Sequence, residues 1–500
     1  MKRHLSSFAA AALLLVTALG SCGGSSGSAS TGAPSGGGAG GGGTGGGGGG
    51  TGGGGTGTGG GGTSTAATVN LTANGTFDNV QLQWTASGSI SAVHVYRDTD
   101  SDPSGRTAIA TLTDTDTTYT DSTAVLGTDY WYWIEFTSNS ASHDSNVVKA
   151  TRKGVMRDMT SLQLSKEMSP GWNLGNSLEA IGGETNWGNP MVTQELMNAV
   201  KAAGFKSVRI PASWAQYADA NDNISATWMA RVTEVVNYAR KAGLYAIINI
   251  HWDQGWMQPT YAQRAFANAR LTKFWTQIAN NFKHYDDYLL FAGTNEVMVD
   301  GDYGTPTVEY YTVQNGFNQK FVDAVRATGG NNAVRHLVVQ GFNTNIDHTY
   351  NFFTVPNDAA NKRLMVEVHY YDPFDFSIND KSTIWQWGAI ATDPAVTETW
   401  ANESYVDAQF QKMRTKFIDG LGIPVVMGEY GVILRTEFDS AQRYRIYWDE
   451  YVTHSAYQHG VVPVYWDNGY PDNHQMGLFN RATGAQVYTG VINAIVNAAH

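Results

Sequence analysis

Short apolar runs and amphipathic stretches alternate through the C-terminal two-thirds of the chain. Eight runs read as strands in order: Gly171–Asn176, Ser207–Pro211, Tyr245–Trp252, Tyr288–Glu296, His336–Gly341, Leu364–Tyr371, Ile423–Tyr430 and Val461–Asp467. Each gives way to a loop and usually to a helix-like stretch. In residues 228–244, Val232, Val235, Val236 and Ala239 share one face at helical spacing, and Gly243 is placed to end the helix. Continuous stretches such as Ala246-Ile247-Ile248 suit parallel strands buried on both faces. Residues 154–500 are therefore expected to form one (β/α)8 barrel, with its weakest repeat between the fifth and sixth strands. In such a barrel the carboxyl ends of the strands carry the chemistry.

Ahead of it, residues 66–153 follow a period of two instead. Val80–Trp84, Ala92–Arg97 and Trp131–Phe136 alternate between apolar and polar, with turn signals between them, the pattern of an all-β sandwich. Gly127-Thr128-Asp129-Tyr130 resembles the tyrosine corner of fibronectin type III domains. If Tyr130 points inward, so do Tyr132, Ile134 and Phe136. Trp131 and Trp133 would then occupy the outer face.

Residues 1–65 belong to neither pattern. Lys2-Arg3-His4 and the apolar stretch Phe8–Ala18 form a secretory leader too short to span a bilayer as a mature helix. Leu19-Gly20-Ser21-Cys22 resembles the lipobox of bacterial lipoproteins, which implies cleavage after residue 21 and lipid on Cys22, the only cysteine. An ordinary secretory signal with an incidental cysteine is the alternative. Gly23 in place of Asp points to outer-membrane sorting and a body held at the cell surface. Residues 22–65 form a linker with 26 glycines between positions 23 and 63 and almost nothing apolar to bury. Such a chain is expected to stay disordered, with a reach of about 35 Å.

Composition narrows the chemistry. A net charge of −12 and no basic block beyond the N-terminus argue against nucleic acid as a partner. Aromatics make up 12% of the chain, including 15 Trp, which suits a site that stacks the flat faces of sugars. One cysteine permits neither an intrachain disulfide nor a thiolate metal site.

Polar residues cluster at the strand ends: Arg209, His251, Asn295-Glu296, His369, Tyr371, Glu429 and Trp466. Two glutamates facing each other across a barrel mouth are what glycosidic bond cleavage needs. With Gly171–Glu179 and Thr185–Pro190 added, the chain resembles glycoside hydrolase family 5, the endoglucanase-rich family of retaining barrel enzymes. The resemblance covers residues 165–500. It implies Glu296 as acid/base, Glu429 as nucleophile and Asn295 on the sugar 2-OH. It also implies that His251 and His369 orient hydroxyls or carboxylates and that Trp466 forms the floor at the cleavage point. Arg209 and Tyr371 beside Glu429 are expected to lower its pKa.

The resulting expectation is a monomeric retaining endo-β-1,4-glucanase acting on a β-glucan, with no cofactor and no metal. A β-mannanase, xyloglucanase or xylanase on the same barrel is the alternative. A surface glycan-binding protein with a dead barrel is a further one, disfavoured because both glutamates are present. His251 and His369 could pair on zinc, but no third ligand stands at a suitable spacing. The resemblance also suggests a cis Trp466–Asp467 peptide.

Overall fold

The computed structural model describes residues 65–500; the leader, Cys22 and all but the last residue of the glycine-rich linker lie outside the described residues. The first eight strands are β1 (Val69–Gly75), β2 (Val80–Ala86), β3 (Ser91–Asp98), β4 (Thr107–Leu112), β5 (Thr118–Asp121), β6 (Asp129–Ser138), β7 (Ala141–Asp144) and β8 (Val148–Thr151). They form two antiparallel sheets, β1-β2-β5 and β4-β3-β6-β7, with β8 also on β6. Val69, Leu71, Val80, Leu82, Trp84, Val93 and Val95 meet Tyr130, Tyr132, Ile134 and Phe136 in the core between them. The period-two pattern of β6 is realised, because alternate residues face one side of a pleated strand. The outward tryptophans pack against cationic side chains. Trp133 is buried beneath the Arg106 guanidinium, and Lys149 sits over the ring of half-buried Trp131. Arg106, just ahead of β4, and Lys149 on β8 cover the flat faces that a sugar would need.

All eight expected barrel runs are strands, each shorter than its apolar stretch: β9 (Gly171–Asn173), β10 (Ser207–Ile210), β11 (Tyr245–Asn249), β12 (Leu289–Ala292), β13 (Leu337–Gln340), β14 (Leu364–Tyr370), β15 (Val425–Tyr430) and β16 (Val461–Tyr465). They pair in parallel in chain order and close through β16 on β9. Helix Ala226–Lys241 buries the face anticipated for it, and Gly243 ends it at φ 76°. Between β13 and β14 the only α-helix is the seven-residue Ile346–Phe352. Inside the barrel, Ile247, Leu290, Val338, Met365, Val426 and Val462 fill the lower part with apolar side chains.

The sandwich docks on the far side from the strands' carboxyl ends. Phe77 meets the edge of Tyr285 at 4.9 Å, and the Arg240 guanidinium lies 3.4 Å over the Phe77 ring. Arg240 and Tyr285 both lie just ahead of barrel strands, β11 and β12, and so belong to the amino-terminal face. Deleting residues 23–152 is expected to leave kcat/KM on short oligosaccharides within about twofold of the full chain while lowering thermal stability, since about 1.5–3 kcal/mol rides on burying one aromatic ring. Reducing-end assays and melting curves on the two proteins check this. A large loss of activity would mean that the sandwich helps build the cleft.

Candidate active site

The strands' inward positions change character toward their carboxyl ends. In β14, Met365 is apolar, but Glu367 and His369 follow on the same face, with Tyr371 just past the strand. Arg209 points inward from β10 and is fully buried. Its Nη1 donates to Glu429 Oε1 at 2.8 Å and to Asn173 Oδ1 at 3.1 Å, and its Nη2 donates to Asn295 Oδ1 at 2.5 Å. One planar fork thus ties together the ends of β9, β10, β12 and β15.

Glu429 reaches this position through an irregularity. Met427 pairs with Val368, but the next pair is Glu429 with His369, which leaves Gly428 as an extra residue. Val425, Met427 and Tyr430 pack into the outer core and Val426 into the barrel. Strict alternation would turn Glu429 outward; the bulge re-aims it into the mouth. Glycine is required at the bulge, because a Cβ on residue 428 would lie 2.0 Å from Glu367 Oε1.

Glu296 stands four residues beyond β12, in the loop that Thr294 anchors by donating its N–H and hydroxyl to Gln340 Oε1, both at 3.1 Å. His369 Nδ1 lies 2.7 Å from Glu296 Oε1 and 3.7 Å from Glu429 Oε2. Glu296, His369 and Glu429 each place one polar atom so that all three lie within 4.8 Å of one another. Tyr371 donates its hydroxyl to Glu429 Oε2 at 3.2 Å. Two carboxylates at this separation suit nucleophile and acid/base in a retaining glycosidase, for which about 5–5.5 Å is usual.

Residues 173–472 match the family described as Cellulase (glycosyl hydrolase family 5). The chain belongs to this family.

Among its relatives, endoglucanase A of Paenibacillus barcinonensis is 44% identical over 364 residues, 68% of this chain and 90% of that protein. The xyloglucan-specific endo-β-1,4-glucanase of Bacteroides ovatus is 43% identical over 361 residues, 68% of this chain and 70% of that one. Among solved structures, the family 5 xyloglucanase from Paenibacillus pabuli in complex with ligand aligns at TM-score 0.66 and 44% identity, covering 68% of this chain and all of that one. The Bacteroides ovatus xyloglucanase with a XXXG heptasaccharide aligns at TM-score 0.66 and 34% identity and covers 86% of this chain and all of that one, a share too large for the barrel alone.

Within this family 5 site, the other expected residues also line the mouth. His251 stacks against half-buried Trp466 with ring centroids 5.8 Å apart and planes 8° from parallel. Gly175 lets Trp466 lie flat at the β9 end, since a Cβ there would approach the indole to 2.9 Å. The Trp466–Asp467 peptide is trans; the cis bonds among the described residues precede Pro170 and Pro373. Trp466 reaches its place without the isomer, its N–H donating to Tyr430 O at 2.8 Å.

The electrostatics differ from expectation at one residue. Burial raises Glu429 above the ordinary carboxylate range, and Glu296 and Glu367 add to this, against the pull of His369 and Arg209. Desolvation and like charge outweigh the guanidinium that was expected to lower it. Burial alone would lower His369, but Glu429, Glu296 and Glu367 push it up to about 9. His251 goes the other way, lowered by burial and by the neighbouring charges of Arg209 and His369, and stays neutral. Burial, then Glu429, raises Tyr371, so it remains a donor. The ligands missing from the zinc argument do converge on His369, since Glu296 and Glu429 stand within 4.8 Å of it, brought together from different strands.

Sequence reasoning missed Glu367, Gln340 and Trp252. Glu367 was signalled as the one acid in the apolar run Leu364-Met365-Val366-Glu367-Val368. Trp252, 50% exposed beside His251, is held out by its neighbour. Buried Asp253 accepts from Ser213 Oγ, the Trp214 and Ala215 N–H groups and Trp256 Nε1. Of the tryptophans considered for outer subsites, Trp214 and Trp387 are fully buried and Trp256 nearly so; Trp187 and Trp385 are half-buried.

Proposed function

We infer that this family 5 protein is a retaining endo-β-1,4-glucanase, and the observation that carries the mechanism is the approach of Glu296 to Glu429. In the first displacement a Glu429 oxygen attacks the anomeric carbon while Glu296 gives its proton to the glycosidic oxygen, and the C–O bond to the leaving chain breaks. The product is a glycosyl ester on Glu429. Its formation removes the negative charge beside Glu296, which is now an anion able to take a proton from water. That water attacks the same carbon, the ester bond breaks, and Glu429 leaves as a carboxylate with the configuration retained. Asn295, held by Arg209, is assigned to the sugar 2-OH, and Trp466 to the sugar face at the cleavage point.

Xyloglucan is the second reading, favoured by the activities named for the Bacteroides ovatus and Paenibacillus pabuli relatives. Trp252 gives a decorated or plain glucan chain a flat apolar platform at the mouth. Assaying new reducing ends and viscosity on carboxymethylcellulose, mixed-linkage β-glucan, xyloglucan, xylan and mannan tests both. Rapid viscosity loss on β-1,4-glucan backbones is expected, and cleavage confined to mannan or xylan would overturn the reading.

We further infer that the N-terminal module is fibronectin type III-like and acts as a spacer. Its two antiparallel sheets and the span of the Bacteroides ovatus alignment support this. Cys22 is read as the lipid attachment site that tethers a monomeric enzyme to the outer surface of the cell. Cys22→Ser is expected to shift activity from the membrane fraction to the soluble fraction, and unchanged partitioning would remove the anchor.

A further inference from the structure

Directly beneath the catalytic pair, Glu367 is fully buried. Arg209 Nε lies 2.9 Å and His369 Nε2 3.3 Å from its Oε1, and Gln340 Nε2 donates to its Oε2 at 2.7 Å. Enclosing a carboxylate carries a large desolvation penalty. One layer lower the same barrel interior is filled by Met365 and Val426, so apolar side chains suffice to build it.

We propose that Glu367 is a positioning residue for glycosidic cleavage: its carboxylate holds Arg209 and His369 against Glu429 and Glu296 from below and keeps the imidazole doubly protonated throughout the cycle. This rests on the roles assigned to Glu296 and Glu429.

His369 turns Nδ1 to the catalytic glutamates and Nε2 to Glu367, and an imidazole donates from both nitrogens only when charged. The charges facing it are Glu367 on its own strand, Glu429 on β15, Glu296 beyond β12, and Arg209 on β10. Neutral His251 and the Tyr371 hydroxyl complete the surroundings. In the free enzyme, with the proton on Glu296, the anions Glu367 and Glu429 balance the cations Arg209 and His369. In the glycosyl-enzyme, Glu429 is an ester and Glu296 has given up its proton, so Glu367 and Glu296 balance the same two cations. Without Glu367, two cations would face one anion at both stages, and His369 would tend to lose its proton. Glu367 itself is held down at about 2: burial works against this, but Arg209, His369 and Gln340 prevail. It therefore stays ionised across the working range.

The test is the pH profile of kcat/KM for Glu367→Gln. Removing a negative charge weakens proton binding at Glu429 and His369, so the acid limb set by the first and the basic limb set by the second are both expected to move to lower pH by about one unit or more. The rate at the optimum should fall about 10–100-fold, the loss known for removing the partner that orients a metal-binding histidine. Glu367→Asp keeps the charge and should hold both limbs near their original pH at reduced kcat. A folded Glu367→Gln enzyme with unmoved limbs overturns the proposal. If that variant does not fold, nitrogen NMR of His369 in the unaltered enzyme decides: an imidazolium at pH 7.5 supports the proposal and a neutral ring overturns it. Failure of the underlying roles would show separately, as turnover surviving in Glu429→Ala.

Discussion

Glu429→Ala is expected to abolish turnover on every polysaccharide, with losses of about 10⁵–10⁶-fold, the scale of removing a covalent nucleophile. Alanine has no oxygen to form the glycosyl ester. The fold should tolerate the change. Arg209 would retain Glu367, Asn173 and Asn295 as partners. Azide entering the vacated space is expected to restore cleavage of an activated aryl glycoside and to give the inverted glycosyl azide. Retained configuration in that product, or residual turnover above about one part in 10³, would remove Glu429 from the nucleophile's role.

Glu296→Gln should cost natural substrates about 10²–10⁴-fold, the usual worth of general acid help. The amide keeps the side chain's shape but has no acidic proton for the leaving oxygen. Aryl glycosides whose leaving groups depart without protonation should lose far less in the first displacement. They should instead accumulate the glycosyl-enzyme, because the second displacement still needs a base. A burst of phenol followed by a slow steady state, seen by stopped flow, would show this division. Equal losses on both substrate types would contradict the acid role. The altered group also faces His369 Nδ1 and helps to raise that imidazole, so the limb it sets should move to lower pH.

Much of this site was legible because each residue lies near the end of a period-two or fully apolar run. Arg209 in Ser207–Ile210, Glu296 after Leu289–Ala292 and Glu429 in Val425–Tyr430 all break an apolar pattern where a barrel opens to solvent. Glu367 breaks the pattern just as clearly. It was overlooked because it sits in mid-strand, and only the convergence of Arg209, His369 and Gln340 shows why an acid is stable there. Trp133 is the complementary case. Alternation fixed the face it occupies, while the guanidinium that covers it comes from Arg106, 27 positions earlier.

By itself, the sequence determined the order of elements, the closed parallel barrel and the end of it that holds the chemistry, because hydrophobic periodicity is a local property that each segment carries alone. Tertiary structure decided the direction in which Glu429 points and the balance of charge around it. A one-residue bulge against β14 reverses the inward and outward sense that alternation would assign. Burial then raises the Glu429 carboxylate even with Arg209 at 2.8 Å. Both effects depend on neighbours brought together from distant parts of the chain.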